Sequence, residues 1–127
     1  MARRSAKRPT DGELTILRVL WEHGPCTVRQ VNRILNETRP TGYTTTLKQM
    51  QVMTDKRLLA KDESRRPQVY RSAQSPSRMR KQLAEHLVDK VFGGSAQKLV
   101  MQVLESRDIS PKQLAQIEKL LGELEEE

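Results

Sequence analysis

The stretch Gly42–Arg71, GYTTTLKQMQVMTDKRLLAKDESRRPQVYR, constrains the fold more than any other part of the chain. Wrapped at about 100° per residue, Thr46, Leu47, Met50 and Met53 share one face, while Thr44, Thr45, Lys48, Gln51 and Val52 fall on the other. That split predicts a helix from about Tyr43 to Arg57 with an apolar face toward a core. Leu58-Leu59-Ala60-Lys61 and Gln68-Val69-Tyr70-Arg71 then predict two short strands around a turn at Asp62 to Pro67. A lone two-stranded ribbon is marginal in water, so it has to pack on helices through Leu59, Val69 and Tyr70.

Two further helices precede this unit. Thr10-Asp11-Gly12-Glu13 has capping-box spacing, and Leu14, Leu17, Val19, Leu20 and Trp21 follow at helical intervals until Gly24-Pro25 ends the run. Trp21 reads as a core anchor, with ligand stacking as the alternative. A second box, Thr27-Val28-Arg29-Gln30, opens a helix whose apolar face is Val28, Val31, Ile34 and Leu35, and Pro40-Thr41-Gly42 breaks the chain after it. Aromatic residues make up only 3 % of the chain, so its core is built from Leu, Val, Ile, Met and Ala, which suits small helical domains. The expected fold is mainly α with a small β-hairpin: a winged helix-turn-helix domain over residues 10–74, preceded by a basic flexible arm at 1–9 and followed by a helical segment at 75–127.

The charge is split along the chain. Residues 1–80 carry 17 Lys and Arg against 7 Asp and Glu, whereas residues 81–127 carry 6 against 9, within an overall +7. A basic front half suits a polyanion; an ordinary solvated basic surface is the other reading. Thr44, Thr45 and Lys48, with Gln51 on the same outward face, are short or flexible enough for a DNA groove, where they can bond phosphates or base edges. Alternatively, Thr44 or Thr45 only caps the helix. Arg65 and Arg66, flanked by Lys61 and Arg71, point to phosphate contact by the ribbon tip, or else to a solvated loop. Arg3, Arg4, Lys7 and Arg8 form an arm that either follows the DNA or aids solubility.

After Ser75-Pro76-Ser77 the pattern changes. Met79, Leu83, Leu87, Val91 and Phe92 recur at helical spacing, Gly93-Gly94-Ser95 interrupts, and Ala96, Leu99, Val100, Val103 and Leu104 resume it. Ser110-Pro111-Lys112-Gln113 is a third capping box, with proline at the first helical position, before Leu114, Ile117, Leu120, Leu121 and Leu124. These stripes are too few to bury one another, so they pair with a second copy of the chain as a dimer interface or fold back on the N-terminal domain.

Other chemistries find little footing. The single cysteine, Cys26, rules out an intramolecular disulfide and a cysteine-cluster metal site, and its apolar neighbours mark it as a buried thiol. His23 and His86 are far apart and neither has a carboxylate or serine at motif spacing; no Gly-rich phosphate loop exists. No catalytic residue, cofactor or metal is expected. The start is charged without an apolar run behind it, and no stretch reaches the roughly 18 apolar residues that span a bilayer. A cytoplasmic protein without stable membrane association is expected, in which the sequon Asn36-Glu37-Thr38 has no meaning.

TDGELTILRVLWEHGPCTVRQVNRILNE, GYTTTLKQMQVMTDKRLL and RRPQVYR together resemble the BlaI/MecI-type penicillinase-repressor family, over about residues 10–127 and most specifically over 10–72. The resemblance implies a winged-helix homodimer that binds a palindromic operator and blocks transcription. It puts Tyr43, Thr44, Thr45 and Lys48 on the recognition helix, Arg65 and Arg66 on the wing, and residues 77–124, with the VFGGS break, on the dimerisation helices. Some members are partnered with a membrane metallopeptidase sensor and are released by cleavage within those helices. The matching place is near Gln102-Val103, but the Asn-Phe pair of staphylococcal members is absent, which weighs against release by proteolysis. The Cys-x-Cys set of copper-responsive relatives is absent too. The leading reading is a homodimeric, sequence-specific repressor acting on double-stranded DNA. The others are an architectural DNA-binding protein without preferred sites, and a winged-helix module for protein contacts.

Overall fold

The computed structural model describes residues 8–126, without the side chains of residue 121 and residues 124–126. Arg3, Arg4 and Lys7 of the expected arm, and the side chains of Leu121 and Leu124, therefore lie outside the described residues. Six helices and one hairpin follow in the order α1 (Asp11–His23), α2 (Val28–Asn36), α3 (Tyr43–Asp55), β1 (Leu59–Asp62), β2 (Val69–Ser72), α4 (Pro76–Val91), α5 (Ala96–Ser106) and α6 (Pro111–Glu126). The chain is mainly helical with a small β-hairpin, as the periodicities predict. It divides into two compact units, residues 1–83 and 84–127, with α4 running through the boundary.

The first unit closes its own core. The three capping boxes form where their spacing puts them: Thr10 with Glu13, Thr27 with Gln30, and in the second unit Ser110 with Gln113. Each satisfies a helix-start N–H that would otherwise be orphaned. Ile16, Leu17, Val31, Met50 and Met53 are fully buried where α1, α2 and α3 meet, and Leu59 and Tyr70 seal the hairpin onto them. Met79 is buried in the same cluster and Leu83 packs against it, so the first turns of α4 belong to this core. Leu83 was expected among the dimerisation residues.

The hairpin is antiparallel with Leu59 opposite Ser72 and Lys61 opposite Tyr70, one residue later in each arm than the pattern predicts. The reason is the end of α3. Arg57 takes a left-handed conformation (φ 66°), its N–H donates to the Thr54 carbonyl, and the Leu58 N–H donates back to the Met53 carbonyl at 2.8 Å. That is the Schellman arrangement, and buried Leu58 is its hydrophobic contact rather than a strand residue. A further pairing lies outside the hairpin. Cys26 and Tyr70 exchange both backbone hydrogen bonds, at 3.0 and 2.8 Å, which ties the α1–α2 connection to β2. Burial of Cys26 pushes its thiol above the usual range, as a structural cysteine requires.

In the second unit Gly93 and Gly94, both at positive φ (59° and 85°), turn the chain between α4 and α5, a conformation open to glycine at little cost. Ser95 then caps α5 by accepting from the Lys98 N–H at 3.2 Å. No described side chain of α5 is fully buried. Leu87, Val91, Met101, Leu114 and Leu120 are all exposed, Val91 to 65 %.

Candidate nucleic-acid interface

The outward face of α3 is the natural starting point. Its core face holds as expected: Thr46, Met50 and Met53 are buried and Leu47 is half-buried. Thr44, Thr45, Lys48 and Gln51 are exposed, and Tyr43, the first helical residue, is 43 % exposed. The expectation that Thr44 or Thr45 caps α3 is corrected. The N-cap is Gly42, with no side-chain cap bond, because the helix starts one residue ahead of the threonine pair. Both threonines are exposed, no side-chain cap bond closes the start of α3, and Lys48 has no ion pair among the described residues. Val52, half exposed on the same face, has no partner that explains it.

What aims this helix was not visible in the spacing. Asn32 on α2 donates through Nδ2 to the Thr41 carbonyl and to Thr46 Oγ1, both at 2.9 Å. Asn36 accepts from the Thr41 N–H at 3.0 Å and donates to the Thr41 carbonyl at 2.9 Å. The six-residue turn between the helices is therefore clamped by two asparagines of the preceding helix, with Thr46, at 0 % exposure, as its buried anchor. At the other end of α3, Lys56 Nζ pairs with Glu13 Oε1 at 2.7 Å, and Glu13 is only 4 % exposed. The same carboxylate oxygen accepts from the Thr10 N–H, so one group starts α1 and holds the end of α3.

The wing places Arg65 and Arg66 in its exposed turn. Asp62 shapes that turn by accepting from the Ser64 hydroxyl at 2.6 Å and the Ser64 N–H at 3.0 Å; these bonds, with the nearby Arg65 charge, hold its carboxyl below the usual range. Lys61 is drawn toward Glu63 at 3.5 Å, and Arg66 Nη1 donates to the Glu63 carbonyl at 3.3 Å. Arg65 is left with its guanidinium in solvent and no ion pair among the described residues. On another side of the unit, Trp21 is half-buried; its Nε1 donates to Ser72 Oγ at 3.1 Å and the Arg80 guanidinium lies 5.1 Å from its ring centroid. These contacts account for it as a structural anchor.

The remaining predicted residues sit in the second unit. Phe92, Leu99, Val103 and Ile117 are half-buried there, while Leu87, Val91 and Leu114 are exposed. Among the described residues there is no cluster of three or more potential metal ligands, and no helix is long and apolar enough to cross a membrane.

The family described as penicillinase repressor matches residues 9–123 of the 127-residue chain, so the match spans both units and ends within α6. No curated protein matches the chain at a significant level.

Proposed function

The chain belongs to the penicillinase repressor family and is a DNA-binding transcriptional repressor; we propose that it acts as a homodimer on a palindromic operator. In this reading each α3 enters a major groove, and half-sites lie one or two helical turns apart, each turn about 34–36 Å. Thr44, Thr45, Lys48 and Gln51, with Tyr43 at the helix start, choose the sequence, while Arg65 and Arg66 hold phosphates. Carrying the proposal is one observation: the outward face of a helix fixed at both ends consists of exposed groups with no structural duty. A groove reader needs a rigid element beneath free side chains, and that is the arrangement here.

The dimer is supported by the second unit, whose apolar residues stay exposed in a single copy. One winged helix buries little DNA-facing surface, and specific affinity generally comes from two linked modules. We place the protein in the cytoplasm, where its DNA is. The test is a genome-wide pull-down of bound fragments, followed by titration of the best fragment against a scrambled one at physiological salt. A shared inverted repeat, bound roughly a thousandfold more tightly than the scramble, is the expected result. Equal binding of both would replace the operator with non-specific coating of DNA.

A further inference from the structure

Between the start of α3 and the wing lies a cleft of about 240 Å³ that none of the contacts above uses. Val28, Leu47, Pro67 and Tyr70 give it apolar lining, and Arg29 and Tyr43 line it as well. The Arg29 guanidinium carbon sits 5.2 Å from the centroid of the Tyr43 ring. Arg29 is exposed and has no carboxylate partner among the described residues. The start of α2 is already closed by the Thr27–Gln30 capping box, so the guanidinium, not the helix end, is what the cleft offers to an anion.

We infer that this cleft seats a sugar-phosphate of the DNA backbone, with Arg29 as the phosphate donor and Tyr43 as the residue that positions it. The inference rests on the DNA-binding reading and adds a contact which that reading does not contain. A duplex that takes α3 into one groove while meeting Arg65 and Arg66 at the wing tip lays the ridge between the two grooves across the space separating those elements. The cleft is in that space, with the first turns of α3 on one side and the return of the wing on the other. Its chemistry matches the ridge: apolar lining for a deoxyribose face, beside a planar fork of N–H donors for a phosphate. Arginine is suited to the second task because it can bond two phosphate oxygens at once and stack on an aromatic ring while doing so. Stacking on Tyr43 limits the rotamer freedom that Arg29 would lose on binding.

The experiment titrates the full chain with its best genomic fragment and with the scramble across a range of salt. Arg29→Ala is expected to weaken both fragments by the same factor, roughly tenfold or more per contact, and to flatten the salt slope by about 0.9 for each bound protomer. Arg29→Lys keeps the charge, so the slope stays while affinity falls for want of the fork. In a Tyr43→Leu background, Arg29→Ala costs less than it does alone, which is the signature of positioning rather than of two separate contacts. Unchanged denaturation midpoints confirm that the exposed substitutions leave the fold intact. Wild-type affinity and slope in Arg29→Ala, with Lys48→Ala still impaired, would overturn the inference and leave the DNA-binding reading standing. Loss of discrimination at an unchanged slope would overturn the phosphate assignment in favour of a base contact. If the wild-type chain binds no DNA, the inference falls together with the reading beneath it.

Discussion

Replacing Asn32 with alanine tests how α3 is held. The change removes two hydrogen bonds, to the Thr41 carbonyl and to Thr46 Oγ1, each 2.9 Å. Neither acceptor is left orphaned. Thr46 Oγ1 still donates to the Gly42 carbonyl at 3.3 Å, and the Thr41 carbonyl still accepts from Asn36 Nδ2 at 2.9 Å. The loss is therefore two net hydrogen bonds without a further desolvation penalty, about 2 kcal/mol in all. Asn36→Ala removes three bonds, to the Asn32 carbonyl, the Thr41 carbonyl and the Thr41 N–H, but at an exposed site where water replaces them. Its cost is expected to stay below about 1 kcal/mol. Urea unfolding of the full chain at fixed protein concentration measures both, read from the midpoint at constant m. Discrimination between operator and scramble should fall in Asn32→Ala more than in Asn36→Ala, because Thr46 is on α3 itself. If Asn36→Ala proves as costly as Asn32→Ala, the number of bonds and not their burial sets the cost, and the argument fails.

Lys48→Ala is expected to relax operator choice, whereas Arg66→Ala weakens all sequences alike and lowers the salt slope; an equal loss at every sequence for both would put Lys48 on a phosphate. Glu13→Ala should destabilise the first unit by about 3 kcal/mol in thermal or urea unfolding, since it strands the largely buried Lys56 ammonium and uncaps α1, while Glu13→Gln should recover the capping part alone. The carboxyl of Asp62 lies below its ordinary value, so its bonds to Ser64 contribute fully above the unfolded pKa and are lost as pH falls through the folded one. The Ser64 amide signal in an NMR titration should accordingly have its midpoint below the ordinary aspartate value; a midpoint above that value would contradict it.

The parts of this fold that were legible in the sequence are those written in local spacing. All three capping boxes form, because a hydroxyl and a carboxylate or amide three residues apart satisfy each other wherever a helix begins. The two faces of α3 follow from its period alone. Contacts between distant residues left no such trace. Glu13 looked like a first-turn cap and is one, but its pairing with Lys56, 43 positions on, depends on how α1 crosses α3. The Cys26–Tyr70 bridge joins a one-residue extended segment to the wing, too short to register as a strand. Ile16, among the most buried residues, was passed over although it stands three and four residues before Val19 and Leu20. Arg29 stood in the sequence only as part of the second capping box, and the approach of α2 to Tyr43 sets it at the rim of a cleft.

The two units differ in kind, and the difference bears on how the repressor works. In the first, three helices, a hairpin and the start of α4 enclose a core with fully buried Ile, Leu, Val and Met side chains, so the surface proposed to read DNA stands on a packed core. Among the described residues the second has no such centre: five large apolar side chains, from Leu87 to Leu120, are exposed. Covering a Val, Leu or Met side chain completely yields about 1.5–3 kcal/mol, so five of them on each of two copies, already about half covered, offer on the order of 8–15 kcal/mol. Association costs a comparable amount in lost freedom, about 4–15 kcal/mol. On these magnitudes, a dimer held through this unit sits near balance and responds steeply to protein concentration and to any single lost contact. In the proposed dimer, a change in the helices beyond residue 83 would weaken operator binding without touching the core of the first unit.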